Sequence, residues 1–273
     1  DTATTEIYTL SLHDALPIYV RDVDLVAFID SLKADPEHGP HSYWHHFTGI
    51  VACWNWAAGR KGHPASHLPK DHRPFETLKR PPKPKKELDA ADLPTAEEIK
   101  IILKEAKRYQ LDELLAAMLC SGCRPNELCV ATVGEFDDKG GQIVRHKHKT
   151  SESATNSKAR RIRLVNGSLA AVQRLCKDRH RNSPIFTGPL GAAWTPNRVG
   201  KIFRQIRNDR GLRPHLTAYS LRDKFITNAL RAGFSTRDVA EATGTSEKMI
   251  QQHYGHFFDN ELRDMHAAVA EMD

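Results

Sequence analysis

No run of about 18 apolar residues occurs anywhere in the 273-residue chain, so a membrane-crossing helix of ordinary length is excluded and no membrane partner is expected. Cysteine is sparse and odd in number, five in all, and Cys120-x-x-Cys123 is the one C-x-x-C spacing. A structural zinc site needs four ligands, usually in two such knuckles, so neither a metal nor a disulfide framework is expected, and reduced thiols fit the count. The paired histidines His45/His46 and His146/His148 are expected to face solvent or phosphate rather than a metal. The chain has no phosphate-binding glycine loop and no acidic cluster of the kind that holds catalytic metals, so no cofactor, nucleotide or small-molecule substrate is implied. Methionine is absent before Met118.

What is present leans basic. Forty Lys and Arg against 34 Asp and Glu give a formal charge of +6, and the pI is near 9.0, a balance that favours a polyanionic partner. Residues 1–18 (DTATTEIYTLSLHDALPI) resemble one translated frame of a sequencing-library adapter and are set aside from fold reasoning. With no methionine near this end, the natural chain is expected to begin upstream of Tyr19. Roughly 255 residues remain, enough for one large or two small domains with a real core.

Four segments are expected. Residues 1–18 are the artefact, taken as disordered. Residues 19–76 form a helical block. Here Leu25, Phe28, Ile29 and Leu32 line one face of a helix over 22–33, and Trp44, Phe47, Val51 and Trp54 line a second over 41–58. Residues 77–93 (LKRPPKPKKELDAAD at their centre) form a stiff, cationic connector. Residues 94–273 form the largest block. It opens on a capping box, Thr95 with Glu98. Leu111, Leu114, Leu115, Met118 and Leu119 then fall at the spacing of a well-buried helix that stops at Ser121-Gly122, and Pro125 opens the next. Arg124 is thereby held in a tight turn.

Between Gly140 and Val165 the period changes to two, which predicts a β-hairpin of 142–146 and 160–165 joined by a polar loop. Helices over 168–176 and 196–210 follow, the second with Lys201, Arg204, Arg207 and Arg210 along one side as a basic strip suited to a polyanion. Three short helices then occupy Thr217 to His256. Ser235 is placed to cap the second, Thr245 or Ser246 the third, and Tyr254 lies near the end.

The ordered set G-C-R-P-N-E-L (122–128), a hairpin K-T step (149–150), Y-S-L-R (219–222), A-x-x-T-G-T-S (240–246) and H-Y-G-H (253–256) resembles the tyrosine recombinase (phage integrase) family. The resemblance covers about 95–257 well. It extends loosely to 19–76, where D-x-x-x-F-I-D-x-L and W-N-W-A are similar to the back half of the family's helical core-binding domain. It implies a mainly helical α+β fold with a small hairpin, and a site of Arg124, Lys149, Tyr219, Arg222, Thr245 and Tyr254. Lys147 and Lys158 stand as rivals to Lys149. Two positions depart from the common pattern: Tyr219 stands where His is frequent, and Thr245 where His or Trp is. Asp223 also replaces a frequent His.

The chemistry that the resemblance implies suits these residue types. A free phenol is only about 0.1% ionised at neutral pH, so cations must lower the cost of using it as a nucleophile. Arg124 and Arg222 would grip the scissile phosphate in bidentate fashion. Lys149 would protonate the departing 5′-oxygen, and Tyr254 would hold the 3′-phosphoryl covalently without metal or ATP. The resemblance therefore implies a site-specific recombinase acting on double-stranded DNA, assembling as a tetramer on it, in the cytoplasm at the nucleoid. The alternatives are a DNA-binding relic of a mobile element and a type IB topoisomerase.

Overall fold

The computed structural model describes residues 21–35, 38–59, 81–82, 89–146 and 159–255. The adapter-like segment, most of the Pro-rich connector, Lys147, Lys149, Lys158 and His256 lie outside the described residues. The chain divides into two compact units, Asp1–Lys86 and Glu87–Asp273.

In the first unit, helix α1 (Asp22–Ala34) packs against α2 (Pro40–Ala57). Leu25, Ile29 and Leu32 recur at four- and three-residue intervals on one side of α1, and they close over Phe47. Pro40 starts α2 at a position where its missing N–H costs nothing. Of the expected aromatic stripe only Phe47 is fully buried; Trp44 and Trp54 are partly covered, and the Trp44 indole N–H donates to the Pro81 carbonyl at 3.1 Å.

The second unit is helical around a small sheet. Helix α3 (Ala96–Ala106) begins at the predicted box. The Thr95 amide donates to the Glu98 carboxylate at 2.8 Å, and the Glu98 amide donates to the Thr95 hydroxyl at 3.2 Å. Arg213 then clamps the same carboxylate at 2.5 and 2.8 Å. It also donates to the Ala91 and Leu93 carbonyls, so the end of the expected connector is pinned to this unit. Helix α4 (Asp112–Ser121) buries Leu114, Leu115 and Met118, and it ends where Gly122 turns left-handed at φ 60°. Helix α5 (Pro125–Cys129) follows at once.

Strands β1 (Phe136–Asp137), β2 (Gln142–Arg145) and β3 (Arg160–Arg163) form one antiparallel sheet in that order. The hairpin was legible from the alternation, whereas the two-residue β1 was not. Ile143 faces Ile162 across the β2–β3 pair, and both are fully buried. Helices α6 (Asn166–Cys176) and α7 (Pro196–Asp209) complete the main core, with Trp194, Phe203 and Ile206 buried.

On α7 the basic strip divides. Lys201 and Arg204 are exposed, but Arg207 donates to the Pro214 and Leu216 carbonyls and Arg210 pairs with Glu105. Two of its four cations therefore hold the fold.

Helix α8 (Ala218–Arg231) crosses α4 and belongs to two cores. Ala218 and Leu221 enter the main one. Ile226 and Leu230 enter a second, with Val239 and Ala240 of α9 (Thr236–Thr243) and Ile250 and Tyr254 of α10 (Glu247–Tyr254). Ser235 caps α9 through the Asp238 amide, and Ser246, not Thr245, caps α10 through the Met249 amide.

Candidate active site

Two glycine-bounded turns build the site. At the first, between α4 and α5, Arg124 leaves the helix axis in extended conformation, and its amide donates to the Glu127 carboxylate at 2.7 Å. At the second, Gly244 ends α9 at φ 67°. The Arg124 guanidinium spans from the first turn to the second, donating from Nη1 to the Gly244 carbonyl at 2.6 Å. Arg222, on α8, spans them in the other sense. Its Nη1 donates to the Gly122 carbonyl at 2.5 Å and to the Thr243 carbonyl at 2.7 Å. Each arginine is thus held through one terminal nitrogen by turn carbonyls. Among the described residues no hydrogen bond takes Nε or Nη2 of either.

Arg222 is 3% exposed. Burial, and then repulsion from Arg124, push its ionisation downward, although a guanidinium stays charged. A third guanidinium, which the sequence reading missed, completes the arrangement. Arg160 of β3 is 7% exposed and reaches the Glu127 carboxylate at 3.4 Å, while Arg124 stands 3.7 Å from the same carboxylate. Arg160 Nη1 also donates to the Arg161 carbonyl at 2.7 Å and the Glu241 carbonyl at 3.3 Å. The signal for it was available. Strand alternation puts Arg160 on the face of buried Ile162, whereas Arg161 and Arg163 point to solvent. An inward arginine needs a partner carboxylate, and Glu127 supplies it.

Tyr254 is 7% exposed and ends α10 with its ring in the second core. Its hydroxyl donates to the Asp223 carboxylate at 2.7 Å. Burial first, then the Asp223 charge and hydrogen bond, push the phenol well above the ordinary tyrosine range, with Arg222 pulling the other way. Tyr219 sits one turn before Arg222 on α8. It is 44% exposed, with the Arg222 guanidinium carbon 5.9 Å from its ring centroid. Thr245 follows Gly244 half-buried, and its amide donates to the Ala240 carbonyl at 3.0 Å. The structure therefore brings Arg124, Arg222 and Tyr254 into one electrostatic neighbourhood, with Tyr219 at its edge. Lys149 lies outside the described residues. Among the described residues, no cluster of three His, Cys, Asp or Glu could hold a metal ion.

Residues 94–261 match the phage integrase family. The chain belongs to that family. A curated member, Tyrosine recombinase XerC of Xylella fastidiosa (strain 9a5c), is 25% identical over 145 residues. That alignment takes in 52% of this chain and 47% of the relative, so the chain spans about half the length of the curated relative it matches. Among solved structures, the XerH site-specific recombinase in a post-cleavage complex with palindromic difH substrate superposes with a TM-score of 0.63 at 16% identity, over 98% of this chain and 75% of that one. The Tn1549 transposon integrase in complex with transposon right end DNA gives 0.62 at 17%, over 98% and 91%. A lambda integrase dimer bound to a COC′ core site gives 0.60 at 16%, over 92% and 85%. These likenesses establish a tyrosine recombinase fold, mainly helical with a three-stranded sheet. In this integrase-family chain the Asp223 carboxylate holds the Tyr254 hydroxyl.

Proposed function

We propose that this chain is a site-specific DNA recombinase that cleaves and rejoins double-stranded DNA through a 3′-phosphotyrosyl bond to Tyr254. The observation that carries the proposal is the pair of guanidiniums. Arg124 and Arg222 are each fixed by one nitrogen to a turn carbonyl, with the remainder of each fork uncommitted among the described residues. Two cations held this close repel each other, and an anion with several acceptor oxygens relieves that cost. A phosphodiester has the charge and the oxygen geometry. Preorganised donors aimed at its non-bridging oxygens would stabilise the five-coordinate transition state without a metal.

In this reading the Tyr254 hydroxyl attacks phosphorus and the 5′-oxygen departs with a proton from Lys149. The phosphotyrosyl bond conserves the energy needed to rejoin a second strand. Self-association into a tetramer on DNA and action at the nucleoid belong to the same proposal. The family match supports it, as do the solved structures of similar fold, one holding transposon right end DNA, one a palindromic difH substrate and one a COC′ core site. A binding relic would keep the arginine pair but form no covalent adduct.

The test is a pool of nicked duplexes with randomised arms, incubated with the full chain and then denatured. A 3′-phosphotyrosyl adduct is expected, together with a released strand that carries a free 5′-hydroxyl, and Tyr254→Phe should abolish both while retaining binding. Equal adduct from Tyr254→Phe overturns the nucleophile assignment, and binding without adduct in the unaltered chain favours the relic.

A further inference from the structure

The nucleophile needs a proton acceptor, and neither Tyr219 nor Thr245 is a base at neutral pH. Tyr219 is itself a phenol, 44% exposed and stacked toward Arg222, and Thr245 spends its amide on α9. Arg222 and Arg124 stay charged and accept nothing. Asp223 is different. It is the residue after Arg222 on α8, and its Oδ1 accepts the Tyr254 hydroxyl at 2.7 Å across 31 residues of chain. That distance is already the reach a general base needs in the ground state.

From this contact we propose that Asp223 is the general base of the cleavage step, taking the phenolic proton of Tyr254 as the hydroxyl attacks the phosphodiester. The proposal rests on Tyr254 being the nucleophile. As the Oη–P bond forms, the Oη–H bond breaks and its proton moves to Asp223 Oδ1. The P–O5′ bond breaks, and the 5′-oxygen takes a proton from a separate donor. On rejoining, the 5′-hydroxyl attacks phosphorus and loses its proton to that donor, and Asp223 returns the stored proton to Tyr254. No oxidant, metal or co-reactant enters.

The surroundings fit a proton transfer during attack rather than before it. Burial and the carboxylate keep the phenol neutral at rest, so a standing phenolate is disfavoured. Once Oη begins to bond to phosphorus its acidity rises steeply, and a carboxylate already hydrogen-bonded is in place to receive the proton. Arg222, next to Asp223 in sequence, pulls the phenol toward ionisation. One turn of α8 thus carries both a phosphate clamp and a proton acceptor.

Asp223→Asn tests this, because the amide oxygen can still accept the hydroxyl and hold the ring while its basicity is gone. Measured under single-turnover conditions on the duplex recovered from the trapping pool, adduct formation should fall by at least ~100-fold, the lower end of the general-base range. DNA binding and thermal melting should be unchanged. Two rescues separate a base from a merely structural carboxylate. A fluorinated tyrosine at position 254, which ionises more readily, should recover much of the rate in Asp223→Asn and little in the unaltered chain. Formate should restore cleavage to Asp223→Ala. An Asp223→Asn rate equal to or above the unaltered chain overturns the proposal, and a slow variant that neither rescue improves does so as well. Absence of any adduct in the unaltered chain instead overturns the nucleophile reading beneath it, so the two failures are distinct.

Discussion

The Arg222 guanidinium donates at 2.5 Å to the carbonyl of Gly122, a residue 100 positions earlier in the chain. That bond joins the turn carrying one arginine to the helix carrying the other. Gly122 can serve because it adopts φ 60°, and because a Cβ there would stand 2.3 Å from the Phe225 ring. The side chain that would block the position comes from the same helix, α8, as the arginine that depends on it.

Gly122→Ala should therefore be disruptive out of proportion to its size. The left-handed backbone alone costs about 1–2 kcal/mol for a residue with a Cβ, and displacement of Phe225 adds to it. Urea denaturation should show a loss larger than that backbone cost, and adduct formation should fall as the Gly122 carbonyl moves off Arg222. Native stability in Gly122→Ala would mean that the turn can refit without α8.

Arg124→Lys and Arg222→Lys should each lower cleavage by at least ~100-fold, the scale for losing a preorganised donor at a developing charge. An ammonium can reach a turn carbonyl or a phosphate oxygen, but it cannot present the planar fork that does both at once. Trapping on nicked duplex reads the effect directly. Full activity in either lysine variant would reduce that arginine to a general phosphate contact.

Glu127 is the carboxylate between Arg124 and Arg160, and it also caps the turn through the Arg124 amide. Glu127→Gln removes its charge and leaves buried Arg160 uncompensated, which should cost about 3 kcal/mol in denaturant unfolding. Added sulfate should restore more stability to this variant than to the unaltered chain, because a bound anion would replace the missing charge. Equal sulfate effects in the two proteins would place the anion site elsewhere.

The Arg213 hydrogen bond holds the Glu98 carboxyl down at about 2, from an ordinary value of 4.5. A depressed carboxyl contributes stability that is present above its unfolded value and lost as pH falls toward its folded one. The stability advantage of the unaltered chain over Glu98→Gln should therefore be constant at neutral pH, shrink below pH about 4.5, and be largely gone near pH about 2. Denaturant titrations at stepped pH measure it. A difference that persists unchanged to the acid end would remove the ion pair as its source.

The secondary structure was legible because its signals are local. The Thr95–Glu98 box, Pro125 at the start of α5, Gly122 and Gly244 at helix ends and the Ser235 and Ser246 caps each act within a turn of backbone. The candidate arginines and Tyr254 were legible for another reason, as an ordered set of motifs at separations similar to the family's. Less visible was the strip on α7. Four cations at three-residue spacing suggest one purpose, yet Arg207 and Arg210 are drawn off by the Pro214 and Leu216 carbonyls and by Glu105. Spacing gives the side of a helix, not what the neighbouring element offers.

The sequence by itself determined where most helices begin and end, where the hairpin lies, and which residue types are available for phosphate chemistry, because those follow from periodicity, capping and side-chain chemistry. Only the tertiary structure decided how these residues are wired. It placed Arg160 against Glu127, crossed Arg124 and Arg222 between the turns at Gly122 and Gly244, and set the Tyr254 hydroxyl on Asp223. Hydrogen bonds form between groups within about 3 Å, and chain separations of 31 to 120 residues say nothing about which groups will meet. The packing of α8 against α4, and of α9 and α10 beside it, brings them together.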